Sequence, residues 1–324
     1  MSISGRSAAR LLLGLAVSVA AGFWVLRDQN LNAVGAALGQ ATWGWLGLVI
    51  ITEGVALALH AYRARLLLAS HGEVGWGHLI RSRALVLLGN DVLPFRAGEW
   101  LRVGYLARFA DLKLAQVIGL TAIERALDAV LFAGILALAA GALEQVQVRQ
   151  LATVGVALGA SLLALGVAVR LGPAFFERHL PARLEKFRQH LRSGLHDALV
   201  AVRSAGRRGA VVRLGLMHVL YASTAYAAWD AIFAAFHLSL PWYAPSVVTG
   251  FVAFGTALPA GPAFVGTFEA FASAALVTLG VAPETALAVA VASHALAIAL
   301  HLLFGIPVIP ALFVLAKDRP PSEP

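Results

Sequence analysis

The chain has no cysteine, two methionines and only three lysines, Lys113, Lys186 and Lys317. Without cysteine there is no disulfide, no thiolate chemistry and no cysteine metal site, and the redox compartment is left open. Charge is scarce too: Asp, Glu, Lys and Arg make up 13% of the 324 residues, about half the share of a soluble domain. Signatures of common catalysis are missing as well. H-E-x-x-H, G-x-S-x-G and G-x-x-x-x-G-K-[ST] do not occur, which argues against a zinc protease, a nucleophile-elbow hydrolase or a P-loop nucleotidase. No polar loop is large enough for a nucleotide-binding domain, so ATP-driven pumping within this chain is disfavoured. No catalytic, metal or cofactor site is expected.

What the chain does have is apolar surface. Hydrophobic residues make up 60% of it, and its mean hydropathy is +0.80. An all-α polytopic integral membrane protein is the expected class. The formal charge of +8 is almost entirely arginine. Because these arginines flank apolar stretches, anionic lipid headgroups rather than nucleic acid are their expected partner.

A membrane span needs about 20 apolar residues. Six stretches qualify, near 9–26, 44–62, 114–141, 151–170, 212–236 and 284–304. The first follows Arg6 and Arg10 and ends near Ala20-Ala21, like a signal peptide, but the spans that follow favour an uncleaved first helix. Two further stretches, 79–94 and 245–279, are interrupted by Pro and Gly and read as broken or re-entrant hairpins. That makes eight hydrophobic segments. Bare backbone does not face lipid, so such breaks belong inside protein or along a wet cavity.

Basic residues set the orientation. Arg6 and Arg10 precede the first span, Arg63, Arg65, Arg81 and Arg83 follow the second, and Arg170 to Arg213 follow the fourth. Lys317 and Arg319 close the last. The intervening loops, 27–42, 141–150 and 237–245, are poor in basic residues. Both termini are therefore expected in the cytoplasm of a cell (plasma or inner) membrane, with one hairpin entering from each side.

The pattern points to one membrane domain over 1–316, with halves near 9–141 and 151–316. The breaks "LPFRAGE" (93–99) and "LPAGPAFVGTFE" (258–269) share Leu-Pro, then Gly, then Glu. Inverted repeats with interrupted helices in matching places mark transport sites near the midplane. Two kinks that merely fit helices together would look the same. Between the halves, Phe176, Leu180, Leu184, Phe187 and Leu191 recur at helical spacing opposite Arg178, Arg183, Lys186, Arg188 and Arg192. The expected element is an amphipathic basic helix over 174–208, lying on the anionic cytoplasmic surface or docking a partner. Residues 317–324 read as a disordered tail.

Three constellations carry the candidate substrate-binding residues. The first is "GNDVLPFRAGEWLR" (89–102). Pro94 removes a backbone donor and Gly98 permits an abrupt turn, so a helix is expected to start near Gly98 with free amides facing the break. Such an end attracts anions. Arg96 offers a fork suited to phosphate, and Arg102 lies three residues after Glu99 on the same face. Asn90 and Asp91 precede the break and could cap it or touch a polar ligand. The plainer alternative pairs Glu99 with Arg102 and lets Arg96 snorkel to the interface.

The second constellation is "ERALD": Glu124, Arg125 and Asp128. Glu124 lies about 16 Å along a helix from Lys113, near the bilayer centre. Ionisable groups there are functional or form an internal salt bridge. The third is Glu269 after Gly261 and Gly266 in the second break, opening a returning helix or acting as a coupling carboxylate. Glu53 is a lone acid in the second span. His60, His218, His294 and His301 are scattered and receive no role. Trp43, Trp45, Trp229, Trp242 and Tyr243 fit an interfacial belt.

The order "NDVLPFRAGEWLR", "ERALD", then a Pro-Gly-rich stretch ending in "GTFE", resembles the membrane region of lysylphosphatidylglycerol synthases, the flippase-like membrane family. The resemblance runs from about residue 10 to 316. In the aminoacyl-lipid members it implies movement of the modified lipid between leaflets, while a separate soluble domain makes that lipid. No such domain is seen here, so aminoacyl transfer is not implied. "PAGPAFVGTFE" departs from the family's shorter Pro-Gly-Gly-x-Gly-x-x-Glu form.

The expectation is a lipid translocase, not an enzyme, for an anionic, glycosylated or polyprenyl-linked lipid. Phosphate would lie on Arg96, Arg102 and the helix end at Gly98; Glu99, Glu124, Asp128 and Glu269 would take a cation, sugar or proton. The alternatives are a membrane-embedded lipid-linked glycosyltransferase, an assembly partner of a lipid-modifying enzyme and a proton-coupled small-solute transporter. Oligomeric state is not legible.

Overall fold

A computed structural model describes residues 5–27, 29–69, 73–93, 97–110, 208–257 and 260–310, with single positions on one helical face between 112 and 131. Pro94, Arg96, Arg125, the basic helix at 174–208 up to its last residue, the span at 151–170 and the tail lie outside the described residues, as does most of 114–141.

Among the described residues the fold is helical, with no strand. The helices are α1 (Gly5–Leu26), α2 (Leu31–Gly39), α3 (Leu46–Leu68), α4 (Trp76–Val92) and α5 (Ala97–Phe109), followed by α6 (Arg208–Ala235), α7 (Ala244–Ala257), α8 (Thr267–Thr278) and α9 (Pro283–Gly305). The apolar stretches 9–26, 44–62, 212–236 and 284–304 coincide with α1, α3, α6 and α9. Among the described residues two segments, Trp43–Leu68 and Pro283–Val308, are long and apolar enough to cross a bilayer by length and composition. At 1.5 Å per residue, the 23 residues of α3 reach about 34 Å, enough for the hydrocarbon core.

At each interruption one helix ends and another begins. α4 stops at Val92 and α5 starts at Ala97. α7 stops at Ala257, and a short 3-10 turn, Pro262–Phe264, precedes α8. Local chemistry explains both stops. Pro94 and Pro259 lack the amide a continuing helix needs. Gly266 enters α8 at φ 88°, a left-handed conformation that glycine adopts without a Cβ penalty.

The described residues fall into two compact units. The first is drawn from Met1–Ala56, Ala84–Leu101 and Ser223–Phe313. Here α8 packs against α7, α9 and α1, and α9 packs against α2. Its core is built of small residues: Ala272, Ala275, Ala286, Ala288 and Ala290 are fully buried. Lipid is as apolar as any side chain, so close packing rather than water exclusion holds such helices together. The hairpin of α4 and α5 uses the same device, with a Cβ on Gly89 falling 2.5 Å from the Gly98 Cα.

The second unit is drawn from Leu57–Arg83, Arg102–Ala222 and Val314–Pro324. Leu67, Leu68, Leu79 and Leu106 are buried in it. Tyr105 packs on Phe109 at 4.9 Å and hydrogen-bonds His78 at 3.1 Å. Trp76 stacks on Tyr62 and lies beneath the Arg65 guanidinium, an interfacial arrangement of aromatic ring and cation.

Candidate functional site

The first unit contains both breaks. Asn90 Oδ1 accepts the Gly98 amide at 3.1 Å, which caps α5 from the preceding helix. Gly98 also lies so close to Val86 that no side chain would fit there. Of the two readings offered by the sequence, an anion at the Gly98 amide or a cap from the residues before the break, the structure places Asn90 on that amide. Glu99 is the third residue of α5, half-buried. Glu269 is likewise the third residue of α8, and its Oε2 accepts the Gly266 amide at 2.7 Å, the backward half of a capping box.

The second break is braced from two sides. Ser18 of α1 accepts the Gly261 amide at 2.8 Å, and Gly266 sits against the Ser18 carbonyl, where a Cβ would collide. Ala263 and Phe264 both adopt positive φ, at 53° and 58°. Each such residue costs about 1–3 kcal/mol and persists only where its surroundings impose it.

α9 supplies a partner for one acid beside each break. His294 Nδ1 lies 2.7 Å from Glu269 Oε1, and His301 Nδ1 lies 2.7 Å from Asp91 Oδ2. Phe268 stacks on His294 with centroids 4.1 Å apart, fixing the ring plane.

The second unit holds a different cluster. Arg102 binds Glu124 bidentately, at 2.5 and 3.1 Å, with neither side chain exposed. His60 Nε2 stands 3.8 Å from Glu124. One turn on from Glu124, Asp128 receives Arg63 at 2.6 and 3.4 Å. Arg63 also reaches His218 Nε2 at 3.2 Å, and its guanidinium lies over the Tyr221 ring at 4.9 Å. His218 Nδ1 faces the Leu214 carbonyl at 3.0 Å. With a carbonyl at Nδ1 and an arginine donor at Nε2, His218 is the neutral tautomer carrying its hydrogen on Nδ1. Two arginines thus balance two carboxylates, the condition under which buried charge is tolerated.

The candidate residues therefore separate. Asn90, Asp91, Gly98, Glu99, Gly261, Gly266 and Glu269 belong to the first unit, and Arg102, Glu124 and Asp128 to the second. The alternative pairing of Glu99 with Arg102 is replaced: both terminal nitrogens of Arg102 go to Glu124. The sequence reading gave no role to the four histidines and used Arg63 only to orient the chain, yet all five touch or approach these acids. Their signal was in the spacing: His60 and Arg63, and His218 and Tyr221, stand at i,i+3, while His294 and His301 stand at i,i+7.

The model of the family described as the lysylphosphatidylglycerol synthase TM region matches residues 11–305. The chain belongs to this family. It is a membrane protein with transmembrane helices, and this family's helical region frames both clusters. No curated protein gives a significant match.

Proposed function

We propose that this member of the lysylphosphatidylglycerol synthase TM family is a lipid translocase, carrying the headgroup of an anionic, glycosylated or polyprenyl-linked lipid past the helix breaks while the acyl chains stay in the bilayer. One observation carries the reading: two interrupted helix pairs each return with glutamate at the third helical position, inside a family named for lipid synthesis. Interrupted helices are where membrane transporters expose polar backbone to a cargo.

In this reading Arg96 supplies the phosphate fork, and Asp91, Glu99 and Glu269 take hydroxyls or cationic groups. Arg102, Glu124, Arg63 and Asp128 act as framework, since each arginine is already committed to a carboxylate. The chain sits in the cell membrane with both termini cytoplasmic, and its basic segment 174–208 rests on anionic lipid.

The test is leaflet exchange of headgroup-labelled anionic lipids in proteoliposomes, wild type against Arg96→Ala. Faster exchange in the wild type supports the reading. Equal exchange in both, or none across lipid classes, overturns it.

A further inference from the structure

We propose that His294 and His301, each hydrogen-bonded to a carboxylate beside a helix break, form the proton-binding site through which a proton gradient drives the lipid cycle; this rests on the translocase reading.

Four acids among the described residues divide by the kind of partner that holds them. Glu124 and Asp128 are each held by an arginine, a group that stays charged at any physiological pH. Glu269 and Asp91 are held by histidines, a residue type able to take up and release a proton. The two histidines stand seven residues apart, two turns along α9, so they share a face and lie about 10 Å from one another.

Among the described residues no lysine or arginine pairs with either histidine or either carboxylate; the unit's other described charged groups include Arg27, just after α1, and Glu99, in the first turn of α5. Apart from the two histidines, α9 carries only Glu284, in its first turn. α8 carries only Glu269, α2 and α7 carry no ionisable group, and the Ala84–Val92 stretch of α4 carries only Asp91. The described α1 side chains, from Ala16 to Leu26, carry none, nor does the 3-10 turn Ile306–Val308. One proton therefore changes the net charge of each pair by a full unit. Neither pair is sealed: His301 keeps 21% of its side chain exposed and Glu269 keeps 15%, against 0% for both partners in Arg102–Glu124.

The cycle follows from charge. With the imidazole neutral, Nδ1–H donates to the carboxylate and the pair carries one negative charge, which repels an anionic headgroup. Uptake of a proton at Nε2 gives an imidazolium–carboxylate pair of zero net charge with a stronger, charge-assisted bond. An anionic headgroup is then admitted to the break. Loss of the proton from Nε2 restores the negative charge and expels the headgroup, so proton and lipid move together.

Purified full chain goes into phosphatidylethanolamine/phosphatidylglycerol vesicles with headgroup-labelled phosphatidylglycerol as probe. Across one pH unit, the wild type should hold the label asymmetric by up to about tenfold at one proton per lipid. His294→Gln and His301→Gln, which retain a donor to the carboxylate, should each lose that asymmetry. Wild-type exchange indifferent to the gradient, or full asymmetry in the double variant, overturns the inference. Absence of exchange in every condition sinks the translocase reading instead. Imidazole ¹⁵N shifts then decide the pairs: the signals missing in each Gln variant should report a change of protonation when the pH is varied. If neither signal responds to pH, the proton site is overturned on its own account.

Discussion

Arg102 and Glu124 meet across 22 residues of chain through two hydrogen bonds, with no exposed surface on either side chain. The pair satisfies both terminal nitrogens of the guanidinium and both carboxylate oxygens. Removing one partner leaves the other charge buried alone, which costs about 3–5 kcal/mol. Arg102→Met and Glu124→Gln should therefore each lower the thermal midpoint of the purified protein markedly. The double variant should recover much of the loss, because no lone charge remains. Additive losses in the double variant would show that the two residues do not act as a pair.

The hairpin of α4 and α5 depends on glycine in one place and not in another. Gly98→Ala pushes a methyl group into Val86 and Asn90, an overpacking expected to cost about 1–3 kcal/mol. Gly104 lies in the same helix with nothing within 4 Å of an added Cβ. There alanine should be neutral or stabilising by about 0.5–1 kcal/mol, through helix propensity alone. Melting of the two variants beside the wild type checks this, and a reversed order would contradict the close approach of the helices.

Asn90→Ala removes the side chain that caps α5 from eight residues back. Loss of such a cap costs about 1 kcal/mol, while Asn90→Asp keeps the acceptor. Hydrogen exchange at the first amides of α5 should speed up about fivefold in the alanine variant and stay near wild type in the aspartate variant. Unchanged protection in Asn90→Ala would mean the cap contributes nothing to holding the break.

These contacts show what was legible in the sequence and what was not. Hydropathy located α1, α3, α6 and α9 because a span is a local property of about 20 consecutive residues. Pro94, Pro259 and the glycines marked the two breaks, since proline and glycine act on their own backbone. The motifs also carried the family resemblance. The polar partners were not local. Glu99 was the neighbouring acid for Arg102, but the fold gave it Glu124; Asp91 found His301 across 210 positions. Single histidines in apolar helices carry no pattern one at a time. Only their i,i+3 and i,i+7 companions could have placed them on shared faces.

Glu269→Gln separates folding from function at the second break. Glutamine keeps an acceptor for the Gly266 amide, so α8 should still start in place and the variant should melt near wild type. It loses the negative charge that, in the proton cycle proposed for the Glu269–His294 pair, expels the headgroup. Exchange of labelled phosphatidylglycerol should fall about tenfold or more, a loss of roughly 1.4 kcal/mol or greater in the barrier. Wild-type exchange in a well-folded Glu269→Gln protein would remove this carboxylate from the transport site.

The absence of cysteine makes the proposed orientation directly measurable, since any introduced thiol is the only one present. Gln40, after α2, and Glu73, between α3 and α4, are both exposed. Arginines cluster around the second position and are scarce around the first, and basic residues are retained on the cytoplasmic side. Gln40→Cys should therefore react with a membrane-impermeant maleimide in intact cells. Glu73→Cys should react only after the membrane is opened. The reverse pattern would invert the proposed orientation of the whole chain, that of the basic segment 174–208 included. Labelling of both positions in intact cells would mean that α3 does not separate them across the bilayer.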